Sequence, residues 1–118
     1  MANPNIVNVA TINGKTDVFA LTTTERNLVT ATANTVFKIN SIMVSNIDGS
    51  NAADVTIKYN DGSNDRAIAS TISVPADATL NVVDKNSSFY LEETEIIKGT
   101  ASANSDLECL ISYEIISD

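Results

Sequence analysis

Three acids sit almost side by side in this chain, Glu92, Glu93 and Glu95, and paired carboxylates are the usual equipment of glycoside hydrolysis. That chemistry needs two carboxyl groups facing one another across a cleft at a set separation, which neighbouring acids in one turn rarely achieve. They read instead as a solvated connection between strands. Asp61, Ser63 and Asp65 place oxygen ligands on alternate positions, as the start of a calcium loop does. Arg66, however, stands where such a loop needs glycine, and no bidentate Glu follows at the required distance, so a turn is expected. Tyr59, Tyr90 and Tyr113 could stack on sugar rings. Tyr59 and Tyr113 fall in phase with apolar neighbours, which assigns them to the core or its rim and leaves Tyr90 the freest of the three. Cys109 is the one cysteine, and the chain contains no His to activate it. It lies within an alternating run and reads as a small buried hydrophobe with no internal disulfide partner. The absence of His also excludes a Ser-His-Asp triad, and phosphate loops, dinucleotide loops and zinc ligand sets are missing. No catalytic, metal or cofactor-binding residue is therefore expected.

The elements that position these residues are strands. In Asp54 to Tyr59, Val55, Ile57 and Tyr59 alternate with Asp54, Thr56 and Lys58, the period-two pattern of a strand with one buried face. Asn60, Asp61 and Gly62 turn that run into a second strand, Arg66 to Val74, which ends at Pro75. From Val36 to Ile47 the apolar positions change parity, from Phe37 and Ile39 to Ile42 and Val44. All four can share one face only if a bulge intervenes near Asn40 or Ser41. Asp48-Gly49-Ser50-Asn51 and Asp61-Gly62-Ser63-Asn64 echo one another and read as two polar turns rather than as a repeat. Asn13-Gly14 is a favoured hairpin dipeptide, predicting a tight turn between Asn5–Ile12 and a returning strand from Thr16 to Leu21. Further strands are expected over Leu28 to Ala33, around Leu80 to Val83, at Phe89 to Leu91, from Ile96 to about Ala101, and from Asp106 to Ile116. About eight strands and no convincing helix predict an all-β fold: an antiparallel β-sandwich, jelly-roll-like. Residues 1–118 form a single domain, with residues 1–12 either its first strand or an N-terminal arm docking on a neighbouring subunit.

Size and charge agree with that architecture. At 118 residues the chain can bury one core without metal or disulfide staples. With 43% hydrophobic but only 5% aromatic residues, that core is built mainly of Val, Ile, Leu and Ala. Asp and Glu outnumber Lys and Arg by 15 to 7, a formal charge of -8 that repels nucleic-acid phosphates and anionic lipid headgroups. Neither nucleic acid nor membrane is expected as a partner. No apolar run approaches the roughly 20 residues that span a bilayer, and the opening residues lack a secretion signal, which predicts synthesis in the cytoplasm.

Several segments carry a resemblance to a known family. They are Asn3 to Val7 and Gly14 to Thr16; Lys38 to Ile42 and Val44 to Gly49; Ile68 to Asp77; Leu80 and Val83 to Asn86; Leu91 to Glu93; and Ser112 to Glu114. In these the chain resembles small virion structural proteins of tailed bacteriophages, especially those of marine and cyanobacterial hosts. The stretch from Glu25 to Thr35 matches poorly. The resemblance implies a non-enzymatic β-sandwich of the virion, assembled in the host cytoplasm, that decorates or cements the head. The implied partners are the major capsid protein or other virion proteins, with a homo-oligomer, possibly a trimer, at the site of attachment. Glu92, Glu93, Glu95 and Tyr90 are the expected partner-contacting residues. The same resemblance admits a neck, tail or fibre-associated module, and Tyr90 with the Asn and Asp loops leaves open a host-surface carbohydrate-binding module.

Overall fold

The computed structural model describes residue 4 and residues 9–117, and no helix occurs among them. Nine strands follow in order: β1 (Thr11–Ala20), β2 (Arg26–Thr30), β3 (Thr35–Asn46), β4 (Ala53–Asn60), β5 (Asp65–Val74), β6 (Thr79–Val83), β7 (Phe89–Leu91), β8 (Ile96–Ala101) and β9 (Leu107–Ser117). One sheet runs β1-β9-β3-β6 with β7 also paired to β3, and the other runs β2-β8-β4-β5. All pairings are antiparallel. Because the chain keeps crossing between the layers, sequence neighbours such as β1 and β2 lie in different sheets, and the two sheets form the antiparallel β-sandwich expected.

The core lies between the sheets and is aliphatic. Ile39, Ile42, Val44 and Ile111 of one sheet and Val55, Ile57 and Ile97 of the other have no exposed surface. Gly99 on β8 leaves room for a side chain of the neighbouring strand in its own sheet, since a Cβ there would stand 2.8 Å from Leu28 Cδ1 on β2. The parity change in β3 is resolved as expected. The register against β9 shifts between Ile39 and Ser41, and Phe37, Ile39, Ile42 and Val44 are all buried. Asn40 is the extra residue, and its Nδ2 donates to Glu114 Oε2 at 3.0 Å.

The Asn13-Gly14 hairpin is not formed. Thr11–Ala20 is one strand, paired with β9 throughout, with Gly14 opposite Glu114. The dipeptide favours a turn locally, but ten consecutive pairings with a distant strand outweigh that preference. Among the described residues the one glycine at positive φ is Gly62, at 97°, in the turn between β4 and β5. The expected segment Asn5–Ile12 lies partly outside the described residues; its last residue, Ile12, belongs to β1.

One aromatic contact acts within a sheet and one between the sheets. Tyr113 on β9 stacks on Phe37 of β3 with ring centroids 5.2 Å apart, and its hydroxyl donates to Asp17 Oδ2 at 2.6 Å. Tyr59 on β4 reaches the opposite sheet, its ring 5.7 Å from that of Phe89 on β7.

Candidate interaction surface

The three acids sit in the connection between β7 and β8, and the structure separates their roles. The loop is paired with the β2–β3 connection: the Ala31 amide donates to the Glu95 carbonyl at 3.0 Å, and the Thr94 amide to the Ala31 carbonyl at 3.0 Å. Asn34 and Thr94 take φ of 61° and 70°, so each chain turns sharply where the two meet. Glu93 is buried, and its Oε2 accepts the Asn34 amide. Glu95 Oε1 accepts the Tyr59 hydroxyl and, at 2.8 Å, the Glu92 amide. Burial, and then the neighbouring Glu95 carboxylate, raise the pKa of Tyr59 well above the usual phenol range. Glu92 is exposed. The expected solvated acidic connection is thus corrected for Glu93 and Glu95, whose side chains join distant parts of the fold. Sequence reasoning missed their partners because Asn34 and Tyr59 are far away along the chain and carry no local signal of the contact.

The remaining candidate groups are also accounted for. Asp61 Oδ1 accepts the amides of Ser63 at 3.0 Å and Asn64 at 2.8 Å, bonds that lower its pKa, the one from Asn64 most. Asp65 bonds Asn60 Nδ2 at 2.7 Å and pairs with Lys98 at 3.2 Å. Among the described residues no cluster of three or more His, Cys, Asp or Glu is arranged to hold a metal ion. Cys109 is buried, which pushes its thiol up to about 12, far from the thiolate that nucleophilic chemistry requires. An open hollow of about 350 Å³ lies along Val18–Ala20 of β1, Glu108–Leu110 of β9 and Ser45. Its lining offers one carboxylate, Glu108, and no second acid or base to work against it.

What the molecule does present is a broad sheet face. Residues directly opposite one another in a ladder point to the same side, so the outward rows of the five-stranded sheet follow from its register. Tyr90, Lys38 and Glu114 form one row across β7, β3 and β9. Thr16, Ser112 and Ser41 form the next parallel row, and Val18, Leu110 and Met43 another. Tyr90 is 42% exposed and Val18 71%. Phe89 and Leu91, on either side of Tyr90, turn inward to the core, so the ring of Tyr90 belongs to the outer face. Glu92 follows at its margin. The surface therefore alternates apolar, charged and hydroxyl-bearing rows.

No protein-family model matches the chain, and no curated protein matches it in sequence. Solved structures do share its fold. A chain from the endospore appendages of Bacillus, described as a novel family of disulfide-linked pili, is 12% identical, with 92% of this chain and 88% of that one covered at a TM-score of 0.54. A chain from the acid-stable capsid of the Helicobacter pylori bacteriophage KHP30 is 7% identical, with 92% and 89% covered at a TM-score of 0.53. At these identities the likeness is one of fold.

Proposed function

We propose that this protein is a non-enzymatic structural component of a tailed-phage virion, and specifically a decoration or cement protein bound to the coat-protein shell. The observation that carries this reading is the broad outer face of the five-stranded sheet, with Tyr90 exposed on it and Glu92 at its margin, in a molecule whose Glu93 and Glu95 hold loops rather than flank a cleft. The shared fold with a phage-capsid chain and a pilus chain supports it, since both of those structures are assemblies. So does the formal charge of -8, which suits a basic patch on the shell.

Such a protein works by mass action: a partner that binds the assembled shell and not its free subunits shifts the balance toward assembly. Three copies clustered at a local threefold add avidity without new kinds of contact. Counting copies in purified particles tests the proposal. A number comparable to that of the coat protein is expected, whereas a handful per particle would replace the cement reading with a neck, tail or fibre position. Tyr90→Ala combined with Glu92→Lys should lower occupancy on the shell while leaving the isolated protein folded. The exposed Tyr90 also favours one second reading, a host-surface carbohydrate-binding module. Glycan-array binding lost in Tyr90→Ala would establish it, and an array with no binding would remove it.

A further inference from the structure

The edges of the two sheets differ in how open they are to another strand. Among the described residues, one edge of the five-stranded sheet is made by the short β6 and β7, and one edge of the other sheet by the short β2. β5, at the remaining edge of that second sheet, is as long as β1, but its register against β4 shifts twice and Thr71 turns to a φ of 51°. Short strands and bulges are the usual means of keeping a sheet edge from pairing. β1 has neither. It runs in unbroken register along β9, contains no proline, and has no strand on its other side among the described residues. Leu21, just past it, continues the ladder by donating its amide to the Leu107 carbonyl at 2.9 Å. Bonding alternates along an antiparallel ladder, so the odd-numbered residues of β1 bond β9. Ile12, Gly14, Thr16, Val18 and Ala20 aim their N–H and C=O groups at the free edge.

The side chains of β1 identify what fits that edge. Gly14 is not at positive φ and has nothing within 4 Å of where a Cβ would stand, so nothing inside the molecule requires glycine there. In the same outward row Val18 is 71% exposed and Ile12 55%. On the strand's other side Lys15 and Asp17 lie 3.7 Å apart, with side chains 53% and 29% exposed. We propose that β1 pairs antiparallel with β1 of a second copy, about a twofold axis that passes through Thr16 perpendicular to the sheet. In that register Lys15 of each copy stands opposite Asp17 of the other, in non-hydrogen-bonded positions where side chains come closest, and opposite charges so placed are stabilising. Asp17 keeps Oδ2 for the Tyr113 hydroxyl and offers Oδ1. Sliding the pairing by two residues in either direction sets Lys15 against Lys15 or Asp17 against Asp17, and sliding it by one mismatches the faces. Val18 of each copy stands opposite Gly14 of the other and diagonal to its Ile12, so the missing side chain at Gly14 leaves room for the valine. The strand is thus complementary to itself, as a twofold interface requires. The pairing rests on β1 alone, whether or not the protein binds a shell.

Charge swapping in the full chain tests this, with the mass of the isolated protein read by analytical ultracentrifugation. The parent is expected to form a dimer whose fraction rises with concentration. Lys15→Asp sets acid against acid at both symmetric positions, and Asp17→Lys sets base against base. Each variant alone should lose the dimer, and an equimolar mixture of the two should regain it. Asp17→Lys also releases the Tyr113 hydroxyl, so a pair of cysteine variants that keep Asp17 decides the matter should that protein not fold. Thr16→Cys, which faces its own counterpart across the axis, should give a covalent dimer on mild oxidation, with buried Cys109 left in place. Ile12→Cys, opposite Ala20 and far from its own counterpart, should not. A parent that stays monomeric at every concentration would overturn the pairing. So would folded charge variants whose mixture does not recover the dimer, or a covalent dimer formed equally well by Ile12→Cys. None of these readouts involves coat protein, so their failure leaves the count of copies per particle to decide the shell reading separately.

Discussion

The two Asp-Gly-Ser-Asn turns and the Glu-rich connection between β7 and β8 are all acidic loops between strands, yet they use their carboxylates in opposite ways. Asp48 Oδ1 accepts the amides of Ser50 and Asn51, and Asp61 Oδ1 those of Ser63 and Asn64, so each aspartate closes its own turn. Glu93 and Glu95 reach past their loop to Asn34 and Tyr59, although Glu95 also accepts the Glu92 amide within it. The difference is one of reach. A single methylene holds the aspartate carboxyl within bonding distance of the next two or three amides, the Asx-turn arrangement, and the longer glutamate spans the gap to another element. Acidic residues that look interchangeable in the composition therefore divide into local turn-formers and ties between distant segments.

The largest effect expected from breaking this distinction is at Glu93. Glu93→Ala removes a charged acceptor from the Asn34 amide and leaves a space beside it, at a cost of about 1.5–3 kcal/mol, read as a lowered denaturation midpoint with an unchanged slope. Tyr59→Phe comes next. It deletes the hydroxyl that ties β4 to the β7–β8 connection through Glu95 but keeps the ring against Phe89, and should cost about 1 kcal/mol.

The two kinds of loop should also part company with pH. Tyr59 and Tyr113 have their pKa values raised, each by burial first and then by a neighbouring carboxylate, Glu95 or Asp17. A raised folded-state value means that their neutral forms stabilise the fold. That contribution is fully present below the unfolded phenol value of about 10 and is lost as pH rises beyond it. Alkaline unfolding should accordingly be shallower in the Tyr59→Phe, Tyr113→Phe double variant than in the parent. Asp48 and Asp61 are lowered, chiefly by the Ser50 and Asn64 amides respectively. Their contribution is present above the unfolded carboxyl value of about 3.9 and is lost as pH falls below it. Because Asp61 is exposed, Asp61→Ala should give the smallest change of the series in melting temperature at neutral pH. A loss as large as that of Glu93→Ala would abolish the distinction.

Much of the strand pattern was legible because alternation is a local property. Val55, Ile57 and Tyr59 announced β4, and the parity change between Ile39 and Ile42 located the bulge to within one residue. What escaped depended on partners far along the chain. Asn13-Gly14 carries the local chemistry of a hairpin, and only β9, at the other end of the sequence, holds it extended. Glu93 reads as a surface acid until Asn34 is placed beside it by the pairing of two loops. Tyr90 was singled out correctly as the tyrosine left outside the core, since its neighbours Phe89 and Leu91 take the inward positions.

The single extra residue at Asn40 turns β3 into two short segments of opposite phase joined end to end. Deleting it would rotate the side chains of everything on one side of the joint by half a turn, sending Phe37 and Ile39 outward and bringing Val36 and Lys38 in. Loops elsewhere in this molecule can lengthen or shorten with little consequence for the core. At position 40 the chain's residue count is itself a structural constraint, one that a change of amino acid would leave intact and the loss of one codon would not.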